Sequence, residues 1–518
     1  MKLEFLDTTL RDGAQGDGIS FSIHDKRVVF NLLDDFGIDL IEGGDPASNP
    51  KDEDFFQHFK NPKLVAFGST AHPGTQPYMD KGLNSLLEAE TDNVCIFGKA
   101  SITHTKEVLK VSLEDNLYMI SESVAFLKGQ GKRVIFDAEH FFDGYNEDSK
   151  YAIAVLQAAF MGGADTLVLC DTNGASSMET IYNATKRIID IFPTAKIGIH
   201  AHNDIGLAVA NSIVAVKAGA CHIQGTFLGF GERCGNANLS TVIADLKLKE
   251  NYDINVNIGN LTKIARSIAE ISNLKLPNYM PYVGSSAFAH KAGMHTDGII
   301  KNPNSFQHID PKDVGNRSRI LLSEMAGRSA VVKKLENLIP NLEKTDPSVQ
   351  KILDAVKDLE QKGYQFDGAD GSFILLAERI MGRFTPSFEL IEYTTTTVKP
   401  SGYIAATIKI KVGNTITSAE AEGNGPVNAL DKALRKALVA HYPEIEEVSL
   451  IDYKVRIVDS ESATQSIVRV MITSSDHKNT WNTVGVSTNI IDASWTAIID
   501  SLEFKLKGYT NRVKWVIK

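Results

Sequence analysis

The chain has 518 residues, of which 43% are hydrophobic and 23% charged, and its formal net charge is -10. This length exceeds one ordinary core and indicates two or three domains. The mild acidity, without a long Lys/Arg run, argues against nucleic acid or an anionic membrane as a partner. Four cysteines without a C-x-x-C pair, no signal-peptide core and no membrane-length apolar run predict a soluble, cytoplasmic protein.

Short apolar runs alternate with helical patterns through the first half of the chain. Eight runs and seven helical segments between them indicate parallel β/α units, and their number fits a (β/α)8 TIM barrel. A doubly wound open sheet is the alternative, but no G-x-G-x-x-G follows the first run and no G-x-x-x-x-G-K-[ST] occurs. The runs are Leu3–Leu6, Ile38–Ile41, Leu64–Phe67, Val94–Phe97, Val134–Phe136, Thr166–Leu169, Lys196–Ile199 and His222–Thr226.

Polar residues collect directly after these runs. Active sites of such barrels lie at the C-terminal ends of the strands. Asp7–Gln15 follows the first run, Glu42–Asp45 the second, Asp137–His140 the fifth and Cys170–Gly174 the sixth, while the last run leads to Gly229–Asn236. Each stretch alone is also typical of a turn or a helix cap. Together they predict one polar barrel mouth.

His200 and His202 stand at the exit of the seventh run. Residues two apart share one face of a strand, so both imidazoles should point the same way. With a carboxylate such as Asp12, which follows Arg11, they suit Mn, Mg, Zn or Fe(II) and an oxygen-rich substrate. Asn236 could add an oxygen. The alternatives are ordinary hydrogen-bonding histidines, a salt bridge between Asp12 and Arg11, and a turn role for Asn236.

Three motifs resemble those of the DRE-TIM metallolyases. More narrowly, they resemble the Claisen-type synthases, which include isopropylmalate, homocitrate and citramalate synthases. The motifs are Asp7–Gln15, His200–Asp204 and Gly231–Asn236. Gly43–Asp52 and Phe136–Tyr145 are most similar to the members that use pyruvate, and the resemblance spans essentially the whole chain.

The resemblance implies a metal ion held by Asp12, His200 and His202, with Asn236 at or near it. The metal would be Mn, Mg or Zn. The same resemblance makes this site the place where a keto acid is held and activated.

The resemblance also implies roles for residues around the metal. Arg11 would contact the keto acid and its developing alkoxide, Thr172 the keto acid's carboxylate, and Glu139 would lie near the acyl thioester. The implied reaction is a condensation of acetyl-CoA with pyruvate, followed by thioester hydrolysis. Isopropylmalate and homocitrate synthases, which take other keto acids, are the alternatives within the family.

The stretch Gly229–Asn236 has the form found in the synthases rather than in the lyase branch. Cys234 is therefore expected to be structural or to support the site, not to act as a nucleophile. An aldolase or lyase on the same barrel is one alternative function. A non-catalytic amino-acid-sensing homologue is another, although the intact arginine, aspartate and histidines argue against it.

After the barrel, from about Ile258 to Pro340, the strand patterns stop and helical patterns take over. His290 and His295 are five apart, so they do not form the i, i+4 pair of a helical metal site. The resemblance implies that His295 is a catalytic acid/base that reaches the barrel mouth of the partner in a swapped homodimer, whereas His290 would be structural. Phe306 stands where the family usually has Tyr.

The last part alternates in polarity, as antiparallel strands do. Two blocks each predict two strands and a helix, which suggests an internal duplication. This part resembles the C-terminal regulatory domain of the family, for which isoleucine is the expected effector and leucine the alternative effector. The alternative to a regulatory domain is a purely structural dimerisation domain. The predicted strands are 388–396, 404–410, 448–457 and 466–474, and the helices 427–438 and 489–498.

These patterns divide the chain into three parts. We expect a TIM-barrel catalytic domain at 1–257, helical linker subdomains at 258–381, and a C-terminal α+β regulatory domain of the LeuA dimer type at 382–518.

Overall fold

Eight parallel strands close into a barrel in the N-terminal part of the chain. The computed structural model describes residues 2–323, 325–458 and 465–512. The strands are β1 (Glu4–Asp7), β2 (Leu40–Gly44), β3 (Leu64–Ser69), β4 (Asn93–Lys99), β5 (Arg133–Glu139), β6 (Thr166–Asp171), β7 (Lys196–Ala201) and β8 (His222–Gly225). Each pairs with the next, and β8 pairs with β1. The predicted TIM barrel is confirmed.

A helix follows each of these strands along the chain. Ser22 begins the first helix with a capping box that includes Asp25. The helices are α1 (Ile23–Phe36), α2 (Pro50–His58), α3 (Lys81–Glu88), α4 (Leu113–Gly129), α5 (Phe141–Gly162), α6 (Met178–Ile191), α7 (Ala208–Ala218) and α8 (Leu239–Leu248). No helix in the described part of the chain has both the length and the apolar character needed to cross a membrane.

Side chains alternate between the inside and the outside of the barrel along each strand. In β5, Val134 and Phe136 join the large core between strands and helices, whereas Ile135 joins a smaller cluster inside the barrel. Asp137 and Glu139 share the face of Ile135, because strand residues two apart point the same way. The inner face of β5 thus changes from apolar to acidic as the strand approaches the mouth.

Helices dominate after the barrel, as predicted, but the strands do not stop completely. The helices are α9 (Leu261–Ile271), α10 (Gly293–Lys301), α11 (Arg328–Leu335), α12 (Pro347–Gln361) and α13 (Asp370–Ile380). One parallel pair of two-residue strands joins β9 (Ala289–His290) to β10 (Arg319–Ile320). A strand of two residues is too short to produce a periodic pattern, so the sequence carries no signal for it.

The chain forms two compact units. The first extends to Phe288 and includes Ile309–Arg317, and the second comprises Ala289–His308 and the chain from Ser318 onward. The second unit has its own apolar core, to which α11, α12 and α13 contribute.

The C-terminal part repeats one arrangement of three antiparallel strands and a helix. The first copy contains β11 (Glu389–Val398), β12 (Tyr403–Val412), β13 (Thr415–Glu422) and α14 (Pro426–Leu438). The second contains β14 (Ser449–Ile457), β15 (Val468–Ser475), β16 (Thr480–Ser487) and α15 (Ile490–Leu506), followed by the short α16 (Tyr509–Arg512). The sequence prediction had two strands per copy and missed β13 and β16.

Candidate metal centre and active site

Asp12, His200 and His202 converge at the mouth of the barrel. The two rings lie on the inner side of β7, because Ile199 and Ala201 face the outer core. The Nε2 atoms of His200 and His202 lie 3.5 Å and 3.9 Å from Oδ2 of Asp12. All three side chains are buried, and their potential ligand atoms lie within 4.8 Å of one another. The structure therefore brings together the three residues predicted as metal ligands.

Asn236 adds a carbonyl oxygen to this cluster. Its backbone forms an antiparallel bridge with His202, which places the amide beside Asp12. Nδ2 donates to Oδ1 of Asp12 at 2.8 Å and to the backbone oxygen of Phe230 at 2.9 Å. Both partners can only accept, so they fix the orientation of the amide. Oδ1 is then buried without a hydrogen-bond partner among the described residues, and such an oxygen fits a metal ligand.

Gln224 sets the tautomer of His200. Nε2 of Gln224 donates to Oδ1 of Asp137 at 2.8 Å, so its Oε1 faces His200 and lies 2.7 Å from Nδ1. Nδ1 must therefore carry the ring hydrogen, and Nε2 presents a lone pair toward Asp12. Metal-binding histidines are typically oriented by a hydrogen bond of this kind.

His202 has a different partner. Nη2 of Arg233 lies 2.9 Å from its Nδ1, and because a guanidinium group only donates, Nδ1 accepts. Nε of Arg233 donates to Oδ1 of Asp204, and Oδ2 of Asp204 and the backbone oxygen of Thr172 share the two hydrogens of Nη2 with His202. Nε2 of His202 then carries the ring hydrogen. His202 would hold a metal through the lone pair of Nε2, and its ring hydrogen would then be on Nδ1, next to Arg233.

Burial and charge act in opposite directions on Asp12. Burial raises the pKa of its carboxyl group, but the positive charge of Arg11 and the neighbouring His200 and His202 outweigh burial and lower the pKa to about 2. For His202, burial and the neighbouring His200 lower the pKa of the imidazole to about 4. At neutral pH, Asp12 is therefore an anion and His202 is neutral, which are the forms that bind a metal.

Three contacts hold Arg11 in place. Nε donates to Oε2 of the buried Glu42 at 2.8 Å, Nη1 donates to Oδ2 of Asp12 at 2.9 Å, and the guanidinium carbon lies 3.7 Å from the ring centre of Phe67. Burial lowers the pKa of Arg11, but the two carboxylates raise it by more. These bonds use two of the five N–H groups, and others remain for an anionic ligand. The salt bridge with Asp12, considered as an alternative to a metal site, coexists with the cluster.

A cleft of about 240 Å³ opens at this mouth. Phe67 and Phe97, whose ring centres lie 5.6 Å apart in a stacked arrangement, form an apolar part of its wall. The polar part of the wall comes from the predicted site residues Arg11, Asp12, Glu139, Thr172, His200 and His202. The cleft is thus small and has one aromatic side and one charged side.

Glu139 and Thr172 lie at the ends of neighbouring strands. Glu139 ends β5 and forms an ion pair with Lys99, which ends β4. Thr172 follows β6, and its Oγ1 accepts a hydrogen bond from the backbone N–H of His140 at 2.8 Å. Both predicted substrate-contacting side chains therefore line the cleft and have defined partners.

His295 lies in the second unit, on α10. It is exposed, and its ring stacks on that of Phe306, with the ring centres 4.4 Å apart. Phe306 is 44% exposed. His290 lies on β9, where its Nε2 is 3.4 Å from Nε2 of Gln307. The catalytic role of His295 and the structural role of His290 stay predictions.

Several residues that fix the site were not identified from the sequence. Glu42 and Asp137 belong to polar strand ends that the sequence does single out. The available signal was that each occupies one of the last inward-facing positions of its strand. Gln224 interrupts the apolar run of β8 with a buried amide, which is another signal. Lys99 follows Gly98 at the end of β4 and carries no such signal. Cys234, in the loop that carries Arg233, is exposed.

The chain matches three protein-family models along its length. HMGL-like matches residues 2–268, and the homocitrate synthase post-HMGL domain-like model matches residues 282–364. The LeuA allosteric (dimerisation) domain matches residues 367–506.

Curated relatives align with almost the whole chain. An (R)-citramalate synthase from Aquifex aeolicus is 48% identical and the alignment covers 98% of each chain. One from Geobacter sulfurreducens is 45% identical, with 97% of each chain covered. A probable 2-isopropylmalate synthase from Methanopyrus kandleri is 30% identical, with 96% of this chain and 97% of the relative covered. The chain therefore belongs to the HMGL-like family, together with these synthases.

Proposed function

We propose that the protein condenses acetyl-CoA with pyruvate and hydrolyses the thioester, releasing (R)-citramalate and CoA for isoleucine biosynthesis. The observation that carries this proposal is the near-full-length identity of 43% to 48% with five curated (R)-citramalate synthases. Relatives named as probable 2-isopropylmalate synthases are 30% and 31% identical. The five relatives at 43% to 48% identity are citramalate synthases, and a further one from Methanocaldococcus jannaschii is 29% identical.

We assign a divalent metal to Asp12, His200, His202 and Oδ1 of Asn236. One carboxylate, two imidazoles and one amide oxygen are donors that Mn, Mg or Zn accepts. A bound metal would supply a Lewis acid for the carbonyl group of the keto acid.

Arg11, Thr172 and Glu139 carry the remaining polar roles at the mouth. The fixed guanidinium of Arg11 donates to the keto acid and stabilises the oxyanion that develops on it. Thr172 donates its hydroxyl hydrogen to the keto acid's carboxylate. Glu139 lies beside the acyl thioester, and His295 from the partner subunit serves as an acid/base in the proton transfers.

The aromatic wall favours a small keto acid. Phe67 lies next to Arg11, and Phe97 stacks on Phe67, in a cleft of about 240 Å³. The methyl group of pyruvate fits beside two rigid rings more readily than an isopropyl group or a second carboxylate. One extra methylene group against an apolar wall changes kcat/KM by about 10-fold to 200-fold.

We further propose a homodimer that is regulated through its C-terminal part. The match to the LeuA allosteric (dimerisation) domain supports a regulatory domain that binds a branched-chain amino acid. Isoleucine is the expected effector and leucine the alternative. The division at 1–257, 258–381 and 382–518 into catalytic, linker and regulatory parts belongs to this proposal, as does a cytoplasmic location.

A thiol-release assay tests the proposed reaction. With acetyl-CoA and pyruvate, we expect CoA release that stops after treatment with a chelator and returns when Mn, Mg or Zn is added. Chiral chromatography should identify (R)-citramalate as the product. Release with pyruvate that is unaffected by complete metal removal would contradict the metal assignment. Cleavage of a 3-hydroxyacyl-CoA without thioester hydrolysis would indicate a lyase instead.

A further inference from the structure

His140 has a backbone conformation that is rare for a residue with a side chain. It lies between β5 and α5 with φ 58° and ψ 35°, in the left-handed region. Outside glycine, asparagine, aspartate and histidine are the residues that tolerate this region best. His140 is also buried. Such a conformation persists only where its surroundings hold it, and it often occurs at functional sites.

The left-handed conformation directs the N–H of His140 at Thr172. The nitrogen lies 2.8 Å from Oγ1 of Thr172. A hydroxyl group has one hydrogen and two acceptor positions. Because Oγ1 accepts from His140, its own hydrogen points away from this N–H. Thr172 lines the cleft, so the hydrogen is available to an acceptor there.

Side-chain contacts hold His140 in this conformation. Its Nδ1 lies 3.0 Å from Oδ2 of Asp143, and Nδ2 of Asn173, the neighbour of Thr172, donates to the same oxygen at 3.0 Å. An ionised carboxylate only accepts hydrogen bonds, so Nδ1 of His140 donates to Asp143, and this bond lowers the pKa of the Asp143 carboxyl group. One carboxylate oxygen thus connects the segment after β5 to the segment after β6.

The ring of His104 stacks on one face of the His140 ring. The two rings are nearly parallel, with an angle of 13° between them and 3.7 Å between their centres. His104 begins a π-helix, His104–Leu109, which is a rare element that often marks functional sites. The segments after β4 and β6 therefore both contact His140, through its ring and its backbone N–H respectively.

We propose that His140 is a positioning residue for the carboxylate of the keto acid. Its left-handed backbone, held by Asp143 and His104, fixes the hydroxyl of Thr172 as a donor toward that carboxylate. This inference rests on the proposed function, in which Thr172 contacts the keto acid. The imidazole itself exchanges no proton with the substrate.

Substitutions at His140 separate backbone position from imidazole chemistry. His140→Ala disfavours the left-handed conformation and removes both side-chain contacts, so the KM for pyruvate should rise about fivefold to tenfold while kcat changes less than about threefold. His140→Asn retains a residue that tolerates this conformation, and its Nδ2 can replace Nδ1 of His140 as the donor to Asp143, so its KM should stay within about twofold of the wild type. An increase in His140→Asn as large as in His140→Ala would show that the imidazole is needed and would overturn the proposal.

A double-mutant cycle tests whether His140 acts through Thr172. Thr172→Val should itself raise the KM for pyruvate, and in that background His140→Ala should have little further effect. Equal increases in both backgrounds would overturn the role of His140. Asp143→Ala, which leaves His140 in place, should show the same dependence on Thr172 and serves as the second variant if His140→Ala does not fold.

The same cycle distinguishes this inference from the proposed function. If the full-length wild-type enzyme does not release CoA with pyruvate, the reaction proposed above is wrong. If it does, but Thr172→Val leaves the KM for pyruvate unchanged, the substrate contact of Thr172 and the role of His140 both fail. If Thr172→Val raises KM and the His140→Ala effect is additive to it, only the role of His140 fails.

Discussion

At the scale of single residues, neighbouring groups fix the orientation of the proposed metal ligands. Gln224 fixes the hydrogen of His200 on Nδ1, and Asp12 with the backbone of Phe230 fixes the amide of Asn236. The remaining acceptor atoms, Nε2 of His200 and Oδ1 of Asn236, belong to the cluster that these two residues form with Asp12 and His202. Oδ1 of Asn236 is buried without a hydrogen-bond partner among the described residues, which is unfavourable in a site that serves only for packing. This oxygen therefore favours a ligand-binding site.

His202→Ala should weaken metal binding by at least about tenfold, because it removes one of the assigned protein ligands. The measurement is metal content by mass spectrometry after dialysis against a fixed free-metal concentration. Thr172→Val is the matched control, since Thr172 lines the same cleft but supplies no assigned ligand atom. Equal metal content in His202→Ala and the wild type would remove His202 from the ligand set.

Asp7 should make stability depend on pH in an unusual direction. Burial raises its pKa to about 7, and its Oδ2 has no hydrogen-bond partner among the described residues. The folded state therefore holds a proton that the unfolded state releases above its ordinary pKa of about 4. Its contribution to stability is present below about pH 4 and is lost as pH rises toward about 7.

Asp7→Asn removes this loss, because the amide does not ionise. Relative to the wild type, the variant should become more stable as pH rises from about 4 to about 7, by at most about 4 kcal/mol for three pKa units. Thermal unfolding across this range is the measurement. Asp17→Asn, at an exposed position in the segment between β1 and α1, is the control. A constant difference between Asp7→Asn and the wild type would show that Asp7 has an ordinary pKa.

At the scale of elements, the barrel could be predicted because each strand carries its own signal. All eight predicted apolar runs overlap the observed strands, since strands of a closed parallel barrel are buried on both faces. The same logic placed Asp12, His200 and His202 together, because strand ends share one face of the barrel. Glu42, Asp137 and Gln224 could not be assigned, since their role depends on which neighbour each contacts across the barrel.

The missed strands show where a local signal is weak. β13 has the sequence TITSAEAE, in which alanine and glutamate, both depleted in strands, take half of the positions. It pairs only with β12 and lies at a sheet edge, as β16 does beside β15. β11 and β14 are the opposite edges of these sheets and were predicted, so the composition of β13, rather than its edge position, weakens its signal.

The helix α10 carries the next prediction. His295→Ala should lower kcat by about 10²-fold to 10⁴-fold, the usual contribution of a general acid or base. Metal content should remain unchanged, because His295 belongs to a different unit from the metal cluster. His290→Ala is the matched control and should keep most of the activity. Near-normal turnover of His295→Ala would exclude the acid/base role.

At the scale of the whole molecule, two family models match different parts of the chain. The HMGL-like match covers the barrel, and the LeuA allosteric (dimerisation) domain match covers the C-terminal repeats. Curated citramalate synthases align with nearly the entire chain, so they share both parts. The sequence could predict the barrel and the antiparallel strands after it, because hydrophobic periodicity changes from alternating strands and helices to antiparallel strands.

Truncation near residue 385 should abolish inhibition by the branched-chain effector. The cut removes α15, against which α13 packs, and with it the contacts of Asp500 with Ser372 and Arg379. Basal CoA release must therefore be measured alongside inhibition, to show that the barrel remains active. Inhibition by isoleucine or leucine that persists in an active truncated protein would place the effector site elsewhere.

The choice of keto acid is the central claim, and one comparison tests it most directly. The thiol-release assay with pyruvate, 2-oxoisovalerate and 2-oxoglutarate, each at varied concentration with saturating acetyl-CoA, yields kcat/KM for each substrate. The wall formed by Phe67 and Phe97 predicts that pyruvate has the highest value, by at least about tenfold. A higher kcat/KM for 2-oxoisovalerate or 2-oxoglutarate would contradict this account.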